Sequence, residues 1–166
     1  MSDDRAFITQ FEAQQWPLER WHHRDHIRLA YLYLRAYPFD EALRRIRHGI
    51  RAHNEAHGIP DLPTSGYHDT VTVAWLHLVA AMLEEYGPED TGDEFCDAHP
   101  ELMNKKTLRL FYSRDRLMSA EAKRMFVTPN LAPLPASRAT ASGRGPEMEK
   151  GEDARGCASP PIHDDS

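Results

Sequence analysis

Residues 21–38 read WHHRDHIRLAYLYLRAYP, and this stretch decides the fold class. Each helical residue advances about 100° around the axis. On that wheel Arg24, Asp25, Arg28 and Arg35 share one side, and Ile27, Ala30, Leu34 and Tyr37 share the other. The spacing predicts an amphipathic helix over 22–37, stopped at Pro38, whose ring cannot continue a helix. His23 and His26 fall in the middle of the apolar stripe, and His22 lies at its flank.

The same period recurs on both sides of this stretch. Helices are expected over 4–14, ending before Trp16-Pro17, and over 41–57, with Asp40 as N-cap and Gly58 as the stop. A Pro-rich loop over 59–66 leads to a helix over 67–86, closed by Gly87-Pro88. Shorter helices are expected over 94–98, 101–112 and 121–126, the last capped by Ser119. No segment alternates as a strand does, and no repeat is present. The reading is an all-α, single-domain bundle of about four main helices plus shorter ones.

The bundle is expected over 1–135. Residues 136–166 hold no Phe, Trp or Tyr, and Ile162 is their only Ile, Leu or Val. Such a segment has too little apolar surface to offset an ordering cost of roughly 1–2 kcal/mol per residue. It is expected to be a disordered tail. Pro129, Leu131 and Leu134 just before it have the composition of an extended strap along the domain.

Composition narrows the function classes. The 166 residues carry a net charge of −6, which argues against a nucleic-acid module. Cys96 and Cys157 form no Cys-x-x-Cys, so thiolate zinc sites, iron–sulfur clusters and disulfide scaffolds lack support. The start, Met1-Ser2-Asp3-Asp4-Arg5, has no apolar run behind it, and the longest apolar stretch, 73–83, is too short to span a bilayer. No membrane partner is expected, and the cytoplasm is the expected location. The usual glycine-rich nucleotide loops, the serine-hydrolase elbow and the His-Glu-x-x-His zincin pattern do not occur.

Histidine is the abnormal residue. Of ten histidines, eight lie between residues 22 and 77, where a uniform scatter would place about three. Continuing each helix's apolar stripe selects His23, His26, His53, His57 and His68 as inward, and His48 and His77 as outward. Short connections favour antiparallel neighbours, so the five inward imidazoles are expected at one end of the bundle, with Glu12 brought to the same place.

That gathering suggests a metal site, because neutral imidazoles three apart on one face chelate transition metals. One transition-metal ion per chain, iron or zinc, is expected on His23, His26 and His68, with Glu12 or Asp69 completing the shell. His53 and His57 are candidates for further ligands, outer hydrogen-bond donors or proton carriers. Tyr67 is a candidate to hydrogen-bond a substrate, and Arg114 to hold an anionic one. The expected function is a metal-dependent enzyme acting on a small molecule, oxidative with iron or water-activating with zinc. Two other classes fit the same residues: a non-catalytic metal or haem binder, and a structural or interaction bundle. In the last, the imidazoles form only a hydrogen-bonded polar layer. Trp16, Trp21 and Trp75 read as core anchors. Arg44, Arg45, Arg47 and Arg51 read as a solvated face.

Overall fold

The computed structural model describes residues 3–142. Nine α-helices follow one another among them: α1 (Asp3–Glu12), α2 (His23–Ala36), α3 (Phe39–Ala56), α4 (Asp69–Tyr86), α5 (Gly92–Ala98), α6 (Pro100–Met103), α7 (Arg114–Leu117), α8 (Ala120–Arg124) and α9 (Arg138–Ser142). Tight 3-10 turns occupy Leu18–Arg20 and Lys105–Leu110. No strand occurs among the described residues, so the fold is all-α. No helix there is long and apolar enough to cross a membrane.

The apolar pattern explains the layout. Helix α4 is apolar nearly all round and buries Val73, Ala74, Trp75, Leu76, Leu78, Val79 and Ala80, so it forms the centre of the bundle. Helix α3 buries one stripe, α2 is buried nearly all round over Ile27–Tyr31, and both pack against α4 and each other. The start of α2 lies beside the end of α3, because the Trp21 and His53 rings are in contact, tilted by 42° with centroids 5.0 Å apart. This is the antiparallel pairing that the two-residue link Tyr37-Pro38 favours.

Two close approaches fix α1. Arg28, 4% exposed on α2, donates to Asp4 Oδ1 at 2.9 Å, and Asp4 Oδ2 accepts the Gly92 N–H at 2.8 Å. One buried ion pair therefore joins α1, α2 and α5. On the other flank, Gly49 of α3 lets the Phe11 ring approach the helix backbone. A Cβ there would lie 2.5 Å from Phe11 Cε1.

Helix boundaries differ from the expected ones for local reasons. Helix α3 starts at Phe39 with Pro38 in the cap position, so Asp40 is not the cap but sits in the first turn, where its charge favours the helix dipole. The expected helix 101–112 breaks at Asn104, whose side chain accepts the Lys106 N–H at 3.0 Å and competes with the helical pattern. The expected tail boundary at 136 also moves. Ser137 is buried, the Arg138 N–H donates to Glu84 Oε2 at 2.6 Å, and α9 packs on α4. Leu134 packs on the core as the strap reading predicts, whereas Leu131 is 59% exposed. Residues 143–166, the remainder of the expected tail, lie outside the described residues.

Two stability outcomes follow from these contacts. Gly49→Ala gains about 1 kcal/mol of helix propensity but meets a fully buried ring, and overpacking costs about 1–3 kcal/mol. Urea unfolding should show a net loss, and a raised midpoint would show that Phe11 yields freely. Ending the chain after Pro135 removes α9 and its bond to Glu84, and should lower stability by about 1–2 kcal/mol. An unchanged thermal midpoint would show that α9 contributes nothing.

Candidate functional site

Helix α2 opens with its histidines held by carbonyl groups. The Asp25 carboxylate accepts the His22 backbone N–H at 2.9 Å, which fixes the first turn. His26 Nδ1 lies 3.0 Å from the His22 carbonyl oxygen, and a carbonyl can only accept. The proton of neutral His26 is therefore on Nδ1, and Nε2 carries a lone pair. By the same reasoning His23 donates from Nε2 to Leu102 O at 2.7 Å, leaving Nδ1 as its lone-pair nitrogen.

These two imidazoles line a cavity of about 880 Å³ between α2, α3, α4 and the 102–110 segment. Its walls are otherwise mostly apolar and aromatic, with Trp21, Ile46, Ile50, Val71, Trp75 and Leu108 among them. Trp21 lies 4.1 Å from the His26 ring and Trp75 4.6 Å from the His23 ring, centroid to centroid. Arg24 at the rim is held by Asp93 and Asp97. Lys105 is exposed at the same rim. It depresses the proton affinity of both His23 and His26, so its charge acts on both rings.

Burial holds the imidazoles neutral. Loss of water pushes His26 down to about 4, and His23, Lys105 and His53 add to the effect against the His22 hydrogen bond. Burial is also the leading cause that lowers His23, His53, His68 and His77.

The other expected ligands are engaged elsewhere. His68 caps α4, its Nδ1 accepting the Val71 N–H at 3.2 Å while Nε2 donates to Leu117 O at 2.9 Å. Both ring nitrogens are used, so no lone pair remains for a metal. Asp69 forms a two-pronged pair with Arg47 at 2.8 and 2.9 Å and accepts the Tyr67 hydroxyl at 2.6 Å. Burial acts to raise the Asp69 carboxyl, and the bonds from Arg47 and Tyr67 outweigh it, holding the group below its usual value. The Tyr67 hydroxyl is thereby committed, and neither residue lines the cavity. Glu12 accepts the Tyr33 hydroxyl at 3.0 Å instead of joining the histidines. Among the described residues no group of three or more His, Cys, Asp or Glu is arranged to hold a metal ion. The expected set of His23, His26 and His68 with Glu12 or Asp69 is therefore not assembled.

His53 and His57 do come together, with ring centroids 4.3 Å apart, but they line no part of the cavity. His77, expected outward, is half-buried between Phe39 and Phe126. The sequence reading missed Lys105, because the break at Asn104 that turns it toward the cavity looks helical by period. It also passed over His99, which is 4% exposed and packs on Phe95 at 4.5 Å. The four-residue spacing from Phe95 was the available signal.

A second open groove of about 910 Å³ runs between residues 126–140 and His77. Its lining carries no charged side chain, so the histidine-lined cavity holds more chemistry.

The depressed imidazoles couple stability to pH. The unfolded chain takes up protons near pH 6.5 that the folded chain refuses. The stabilisation is complete above that pH and is lost as pH falls toward about 4, the folded value for His26. Denaturant midpoints should fall steadily from pH 7 to pH 5, and His26→Gln should flatten part of that slope. A flat profile would mean that these rings are solvated. No protein-family model, curated protein or solved structure matches the chain.

Proposed function

We propose that the cavity between α2, α3 and α4 binds a small organic molecule with a flat apolar body and an acidic group. The observation that carries this reading is the pairing of aromatic walls with two neutral imidazoles and the cationic Lys105 in one cavity of about 880 Å³. Small-molecule sites have this size and this character, apolar surface with a few convergent polar groups. Trp21 and Trp75 supply faces for a planar ligand. Lys105 supplies the charge that attracts an anion.

The chemistry within reach is proton transfer at His26. Its Nδ1–H is fixed on the His22 carbonyl, so Nε2 is the accepting atom. Burial makes the group a weak base, near 4. An anion seated beside it favours the imidazolium and raises its proton affinity. Ligand binding and proton uptake are then coupled, and the chain acts as a binder or general-base enzyme. A metal held jointly by His23, His26 and His68 is not part of this proposal, since His68 has no lone pair to give.

Calorimetric titration with naphthoate and with the corresponding neutral alcohol tests the reading. Naphthoate should bind about fivefold more tightly, in line with ~1 kcal/mol, the upper end for an exposed charge pair. Lys105→Ala should erase that preference, and Val71→Trp should block both ligands by filling the cavity. Binding that survives Val71→Trp unchanged would place the ligand elsewhere, and absence of binding by either probe would overturn the proposal.

A further inference from the structure

Three buried side-chain nitrogens lack any hydrogen-bond partner among the described residues: His53 Nδ1, His57 Nε2 and His99 Nε2. Two of the three belong to neighbouring rings. His53 lies in the last turn of α3 and His57, the residue that caps it, follows four positions later; their ring planes are inclined at 44° with centroids 4.3 Å apart. An orphaned buried polar atom is rare in a folded protein and points to something that belongs beside it.

The chemistry of the orphans narrows the occupant. His53 is fully buried, and its Nε2 lies 3.0 Å from the Trp16 carbonyl oxygen. That bond places the proton on Nε2 and leaves a lone pair on Nδ1. A metal-ligating histidine has this same arrangement, one nitrogen on the metal and the other N–H on a carbonyl that orients the ring. The pair sits at the C-terminal end of α3, where the helix dipole favours a positive charge, and the last turn carries no Lys or Arg. His57 as a residue is half-buried although its Nε2 is shielded, so a small turn of this ring at the helix end opens the position to water.

We propose that His53 Nδ1 and His57 Nε2 form a two-imidazole chelate for a late first-row divalent cation, Zn²⁺, Ni²⁺ or Cu²⁺, with water in the remaining positions. Imidazole nitrogen is a ligand suited to these ions, and among the described residues no carboxylate joins the pair to make a group of three that would favour Mg²⁺ or Ca²⁺. The site is separate from the cavity proposed for the organic ligand, with the Trp21 ring standing between His26 and His53. It therefore does not depend on that reading.

Untagged full-length chain titrated with Zn²⁺ and Ni²⁺ by calorimetry, and with Cu²⁺ by quenching of tryptophan emission, tests the proposal. Trp21 is the reporter, 5.0 Å from the His53 ring. The expected result is one ion per chain and a raised thermal midpoint on saturation. His57→Ala is the informative variant, because His57 lies at the helix end and its loss leaves the His53–Trp16 bond intact. It should weaken binding by more than about tenfold, whereas His48→Ala and His26→Ala should not change it. Equal binding by His57→Ala, an equal loss in His26→Ala, or no binding of any of the three ions would overturn the proposal. The orphaned nitrogens would then share a water molecule.

Discussion

The hydrogen bond from His53 Nε2 to the Trp16 carbonyl is the contact on which this end of the bundle depends. It joins the connection after α1 to the last turn of α3 from within a fully buried position. Breaking it would strand a carbonyl and an imidazole N–H without water, at about 1–3 kcal/mol for each group. Around it the aromatic rings take their places. Trp21 stacks on Phe11 at 5.2 Å and lies between His26 and His53. With that ring placed, the start of α2 is set against α3, and the cavity acquires its aromatic wall.

The same rule governs three of the other inward histidines. Four imidazoles each place one N–H on a backbone carbonyl: His23 on Leu102, His26 on His22, His53 on Trp16 and His68 on Leu117. These carbonyls come from different segments, so the rings act as pins between helices and loops. The cost of burying a polar ring is offset by a bond that also fixes its tautomer. Only His68 has its second nitrogen taken up as well, by the cap of α4. The others keep a lone pair, and whether that lone pair faces a cavity or another imidazole separates the organic-ligand proposal from the metal proposal.

The helices were legible in the sequence because a period of 3.6 residues marks them, and the inward face of α3 follows from it. Helix α2, however, buries Arg28 on the side read as polar, where Asp4 neutralises it. His23, His26, His53, His57 and His68 were all selected by extending apolar stripes, and His53 is fully buried as that predicts. Which nitrogen each ring offers was not legible. That depends on carbonyls as far away as Leu102, 79 residues from His23, and Leu117, 49 residues from His68. A stripe gives a direction around one helix and says nothing of how far apart rings on different helices stand. The metal set drawn from His23, His26 and His68 failed to assemble for this reason. Glu12 and Asp69 were misplaced by the same limit, since Tyr33 and Arg47 reach them across helices. The break at Asn104 and the start of α9 are marked by side-chain to backbone bonds that leave no periodic trace.

The tautomers of the four pinned imidazoles can be read directly from long-range proton–nitrogen correlation spectra of the metal-free chain at pH 7. Neutral rings are expected throughout, with the proton on Nε2 in His23, His53 and His68 and on Nδ1 in His26. Imidazolium signals from these residues, or the proton on Nδ1 of His53, would contradict the carbonyl-pinned arrangement and the lone pairs assigned from it.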